Sequence, residues 1–211
     1  MLPATSKARF AGNRAQSGFT LIEALISAVI LAIGVVGIVS LLTMSKVYQH
    51  ESIQRVRAVE LADGILERMR RNPADVAAYN TGLLSPLGNA SISEEPEVDC
   101  SANSCDAAEL ASYDLWGWEQ LLDGASATVI DGSEATNTVG LRNVRACINF
   151  TADTSKDNTG IVDVIVQWKG IKETSDAVAA GGISCGAVDE EEDATWRQVV
   201  VSSYVLNETE M

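Results

Sequence analysis

Glu23 is the first residue whose type and place call for an explanation. It is the one charge in the apolar run FTLIEALISAVILAIGVVGIVSLLTM, from Phe19 to Met44. A carboxylate inside a membrane helix costs on the order of 2.5–3.5 kcal/mol on insertion scales, so it needs a partner or a role. Taken alone it could equally be a protonated acid, or one solvated near the membrane interface. The other reactive side chains are Cys100, Cys105, Cys147 and Cys185, all beyond the apolar run. An even number of cysteines in an exported domain points to disulfides. Zinc would call for C-x-x-C or Cys/His knuckles, whereas these spacings are wide and the one histidine, His50, lies elsewhere. Four cysteines allow three connectivities, and sequence leaves the choice open. Cys100 with Cys105 and Cys147 with Cys185 is favoured, because the first two are near neighbours and the others flank a common run of strands.

Two acidic stretches are weaker signals. DTSKDNTG places Asp153, Ser155 and Asp157 at alternating positions, as in a calcium loop, but lacks the glycine at the sixth place and the terminal glutamate. It reads as a hairpin loop. The run DEEED, from Asp189 to Asp193, reads as solvated charge. No nucleophile and base pair, phosphate loop or metal constellation is present, so neither catalysis nor a cofactor is expected.

The elements that carry these residues follow from patterning. About 20 apolar residues span a bilayer core, so the run over 19–44 is a transmembrane helix. A cleaved secretory signal has a shorter apolar region followed by a small-residue cleavage site, and neither feature fits. Ahead of the helix lie Lys7, Arg9 and Arg14 with no acid, a stretch that stays cytoplasmic by the positive-inside rule. The formal charge of the chain is −14; without these three of its 15 basic residues, 12 remain against 29 acidic ones, or −17. So acidic a remainder repels phosphate backbones and argues against direct nucleic-acid binding. Gly34 and Gly37 each cost about 1 kcal/mol relative to alanine and soften the helix near its middle.

Beyond Met44 the helix turns amphipathic over 45–72. Ala58, Leu61, Ala62, Ile65, Leu66 and Met69 form one stripe, with Arg55, Arg57, Glu60, Glu67, Arg68 and Arg71 on other faces. It should stop near Asn72 and Pro73. From Pro73 to about Glu109 no period is visible, which reads as a long loop. Glu109–Leu122 offers a short helix in which Trp116 and Trp118 are packing residues. Strand patterns follow near Ala125–Ile130, Val144–Phe150, Val162–Trp168 and Trp196–Leu206. The expected fold class is α+β: a long N-terminal helix, half transmembrane and half amphipathic, packed against a small antiparallel sheet of about four strands, with residues 73–211 as the head.

The segment SGFTLIEALISAVILAIGVVGI, Ser17 to Ile38, resembles the class III signal of type IV prepilins and pseudopilins, in which a glycine precedes the cut and a glutamate lies five residues beyond it. Here these are Gly18 and Glu23. The resemblance implies that prepilin peptidase removes residues 1–18, that Phe19 becomes the N-methylated amino terminus, and that this chain is the peptidase's substrate. It also gives Glu23 a role, since its carboxylate can attract the new amine of a neighbouring subunit during assembly, which sets register more than it adds stability. The segment AVELADGILERMRRNPADVAAYN, Ala58 to Asn80, is similar to the PilV family of type IV pilus modification proteins. So are Cys100 and Cys105 ahead of DLWGWEQLL and the later IVDVIVQWKG. That likeness implies a minor pilin that assembles with other minor and major pilins on the inner-membrane pilus machinery. The head would lie in the periplasm, or at the cell surface within a fibre. The alternatives are a minor pseudopilin of type II secretion and a membrane-anchored binding protein that does not polymerise.

Overall fold

A computed structural model describes residues 18–125, 128–131, 134–137, 140–174, 181–186 and 193–210. The leader cations Lys7, Arg9 and Arg14, and the acidic run up to Glu192, lie outside these residues. The chain divides into two compact units, residues 1–46 and 47–211, each described by itself. Helix α1, Leu21–Arg71, runs unbroken through Gly34 and Gly37.

In the first unit, every described side chain from Gly18 to Lys46 is exposed. Large apolar groups such as Ile22, Leu31 and Leu41 therefore find no cover among the described residues of this unit. At 1.5 Å per residue the stretch from Leu21 to Lys46 is about 39 Å long, enough to cross a hydrocarbon core of about 30 Å. It is the one helix long and apolar enough to do so among the described residues.

In the second unit the stripe on α1 becomes a core face. Ala58, Ala62, Ile65, Leu66 and Met69 are buried, and Leu61 packs beside them. The helix ends at Arg71, two residues before a proline that disfavours helical geometry in the residue ahead of it. The chain then makes a 3-10 turn over Pro73–Tyr79, which buries Val76 and Tyr79 in the same core. This replaces the start of the expected loop; a single turn is too short to show a period in sequence. Helix α2, Ala107–Leu122, opens on a capping box. The Asp106 carboxylate accepts from the Glu109 amide at 2.8 Å, and the Glu109 carboxylate accepts from the Asp106 amide at 2.9 Å, which satisfies two otherwise orphaned N–H groups. Ala111, Trp118 and Leu122 face the core, and the Trp118 indole N–H donates to the Leu61 carbonyl of α1 at 2.9 Å.

Strands β1 (Thr128–Asp131) and β2 (Glu134–Asn137) form a separate two-stranded ladder. The main sheet has three antiparallel strands in the order β3 (Arg145–Ala152), β4 (Gly160–Lys169), β5 (Trp196–Val205). The expectation of about four strands is thus corrected to three: the candidate near Ala125–Ile130 pairs locally with its successor instead of joining the sheet. Strand β4 is central and buried on both faces over Val164–Trp168. Val162, Val164, Val166 and Trp168 meet the helices, while Ile165 joins Cys147, Cys185 and Leu83 in a small second cluster. The connection from Asp153 to Thr159 closes the β3–β4 hairpin, with Asp153 N donating to Thr159 O at 2.8 Å.

Candidate functional site

Gly18, Phe19 and Thr20 precede α1 and are outside any helix. The bond between Gly18 and Phe19 is therefore carried on non-helical chain, and Phe19 is 75% exposed. Thr20 sits immediately before the helix, where its hydroxyl accepts from the Glu23 amide at 3.3 Å and its carbonyl from the same amide at 3.1 Å. Glu23 thus occupies the first turn, three residues after the capping threonine, where the helix dipole favours a carboxylate. Hydropathy alone presents Glu23 as an expensive intramembrane charge. The T-x-x-E spacing from Thr20, a helix-start signal, is the sequence feature that anticipates its place in the first turn. The carboxylate is exposed and no ion pair to it occurs among the described residues.

The head fixes its share of α1 through two polar anchors. At the upper end, the buried Asp114 of α2 receives the Arg68 guanidinium at 3.0 Å and the Tyr79 hydroxyl at 2.7 Å. Asn72 Nδ2 completes this hub by donating to the Ala107 carbonyl at 2.7 Å and to Tyr79 Oη at 3.3 Å. Burial, with the nearby Asp114 carboxylate, pushes the Tyr79 hydroxyl well above the ordinary tyrosine range. At the lower end, Glu51 accepts from the amides of Ile171 at 2.6 Å and Lys172 at 3.4 Å, and from Arg197 Nε at 3.3 Å. Burial acts against its charge, but those two amides and the Arg197 guanidinium outweigh it and hold the carboxyl below its usual range. A Cβ at Gly170 would come within 2.8 Å of Glu51 Oε1, so a larger residue there would displace the carboxylate. The Lys172 ammonium lies 4.8 Å from the Tyr48 ring centroid, a further tie to α1.

The structure joins Cys100 to Cys105, five residues apart, and Cys147 to Cys185, 38 apart. The first closes a ring just before α2; the second pins the segment around Cys185 over the outer face of the sheet. The DTSKDNTG segment serves the hairpin: the Tyr204 hydroxyl donates to Asp153 Oδ2 at 2.6 Å, and the amides of Asp157 and Asn158 donate to Glu210 Oε1 at 3.2 and 2.8 Å. Trp116 is half-buried and tilts against Tyr113 at 5.6 Å between ring centroids.

A family described as prokaryotic N-terminal methylation motif matches residues 13–39, a span that contains Gly18, Phe19 and Glu23. A second family, described as type IV pilin Tt1218, matches residues 47–116, from the second half of α1 through the Cys100–Cys105 ring into α2. No curated protein and no solved structure matches the chain. The three-stranded sheet lies outside both matches. The second match suggests a structural subunit. An apolar first helix under a methylation motif, followed by a head that packs the same helix onto a small antiparallel sheet, supports the type IV pilin superfamily and fits a membrane-anchored, pilin-like subunit.

Proposed function

We propose that the chain is a minor pilin of the PilV kind. On this reading it is cut between Gly18 and Phe19 by prepilin peptidase, methylated at Phe19, and inserted into a type IV pilus through residues 19–44, with the acidic head on the periplasmic side. The observation that carries this reading is the coincidence of Gly18, exposed Phe19 and Glu23 at the start of an uncovered apolar helix. A helix whose apolar side chains are exposed among the described residues of its unit suits lipid before assembly and neighbouring helices after it. A scissile bond on non-helical backbone suits a peptidase. Two disulfides among the described residues favour an oxidising compartment for the head, and the positive leader favours a cytoplasmic start. Its partners are then the peptidase, the inner-membrane assembly machinery, and the minor and major pilins beside which it docks. Glu23 supplies the carboxylate that a neighbouring subunit meets on entering the fibre base.

Intact-mass analysis of the membrane form tests the processing step. The expected species begins with N-methyl-Phe19. An intact precursor in cells with active prepilin peptidase contradicts it and leaves a plain membrane anchor.

A further inference from the structure

The two edges of the three-stranded sheet are finished differently. The β3 edge is covered: Leu87 and Ala146 exchange hydrogen bonds at 2.8 and 2.9 Å, and the Gly82 amide donates to the Ile148 carbonyl at 3.0 Å. On the other side, hydrogen-bonded and open pairs alternate along an antiparallel ladder. Gly170 N donates to Thr195 O at 2.8 Å, in register with the pairing of β4 and β5. Val199, Val201 and Ser203 therefore turn their main-chain groups toward β4, and Gln198, Val200 and Ser202 turn theirs outward. None of these outward amides and carbonyls has a partner among the described residues. Proteins blunt such edges with charge, proline, bulges or a covering segment. Among the described residues, Gln198–Ser202 carries no charge, proline or bulge, and on this edge the Ile183 carbonyl meets only the Gln198 side chain, leaving the outward main chain unpaired.

Beside the start of this edge lies a cleft of about 320 Å³ between α1 and the sheet, lined by Glu51, Ser52, Arg55, Trp168, Arg197 and Gln198. Glu51 and Arg197 are already engaged with each other and with main-chain groups. Arg55 makes no ion pair or hydrogen bond among the described residues. The Trp168 side chain is buried, 2% exposed, and its indole N–H has no acceptor among the described residues. That N–H is sealed from the cleft, so what the cleft offers is the guanidinium of Arg55, the chemistry that holds a carboxylate.

We propose that the β5 edge accepts, by antiparallel strand addition, the extended C-terminal segment of a partner polypeptide, whose terminal carboxylate seats against the Arg55 guanidinium. Direction selects a chain end. A strand antiparallel to β5 arrives at Gln198 with its C-terminus leading, and the turn in which Trp196 N bonds Asp193 O and Thr174 N bonds Ala194 O blocks further pairing. Backbone pairing supplies affinity, and the carboxylate fixes register.

The test uses the full-length protein in lipid nanodiscs and the hexapeptide Lys-Thr-Val-Thr-Tyr-Val as free acid and as C-terminal amide, with affinities read by calorimetry. The acid should bind at least tenfold more tightly than the amide. Arg55→Ala, an exposed change, should shrink that ratio below threefold. Val200→Pro, which removes an amide that β4 does not use, should abolish binding of both peptides, and circular dichroism checks that it folds. Equal affinity of acid and amide, an undiminished ratio in Arg55→Ala, unchanged binding to folded Val200→Pro, or no binding at millimolar peptide overturns the proposal. No fibre enters this assay, so its failure leaves the pilin reading untouched.

Discussion

Asp114 shows what a single buried carboxylate does in this head. It ties α1, the 3-10 turn and α2 together through Arg68 and Tyr79. Hydrogen bonds to a charged group contribute about 1.5–3 kcal/mol each, and removing their shared acceptor strands two donors. Asp114→Ala should therefore lower stability by about 2–4 kcal/mol in urea unfolding of the detergent-solubilised chain, with Asp114→Asn intermediate. A loss below about 0.5 kcal/mol would show that water replaces the carboxylate. Tyr79 adds a pH signature. Its folded pKa is raised above the ordinary value of 10.0, so its contribution is fully present below that value and is lost as pH rises past it. Unfolding midpoints of the parent should fall above about pH 10, and those of Tyr79→Phe should fall less. None of this hub is legible in sequence. Patterning places Arg68 only on a face away from the apolar stripe and gives Asp114 no signal, because its fitness depends on where two distant helices meet.

Among the elements, those with a strong period are legible in sequence and those without one are not. The stripe on α1 and the alternation in β3, β4 and β5 follow from side chains that must face one core, and they place those elements within about a residue or two. Burial of β4 on both faces is hidden, since its second cover comes from a disulfide-pinned segment with little pattern of its own. That disulfide carries the next prediction. On the loop-entropy account, closing 38 residues contributes about 4 kcal/mol and closing five about 2 kcal/mol. Replacing Cys147 and Cys185 with alanine should cost about 2 kcal/mol more than replacing Cys100 and Cys105, as read from chemical unfolding. Equal costs would place the effect in local packing. The Glu51 anchor between α1 and the β4–β5 connection predicts a pH effect of opposite sign. Its depressed folded pKa means that its contribution is present above the ordinary value of 4.5 and is lost as pH falls through the lower folded value. Glu51→Gln should melt below the parent at about pH 7, and the gap should close toward about pH 3.

At the scale of the whole molecule, the chain combines a helix whose apolar side chains are exposed among the described residues of its unit and a head that is folded, cross-linked and acidic. The first demands lipid or neighbours, and on the proposed function the second forms the surface of the assembled fibre. The methylation motif is legible because basic leader, glycine, phenylalanine and offset glutamate are local in sequence. The head's open strand edge is not, because an unpaired edge is a property of the finished sheet. The central claim, that Glu23 is an assembly device, is tested most directly by shearing fibres from cells that carry Glu23→Val and comparing the subunit in sheared and membrane fractions. Membrane insertion, cleavage after Gly18 and folding of the head should all persist, because valine makes the helix more apolar and leaves the leader and the head core unchanged. The account predicts that the variant stays in the membrane fraction, with Glu23→Asp between it and the parent. Entry of Glu23→Val into sheared fibres at the parental level would contradict it.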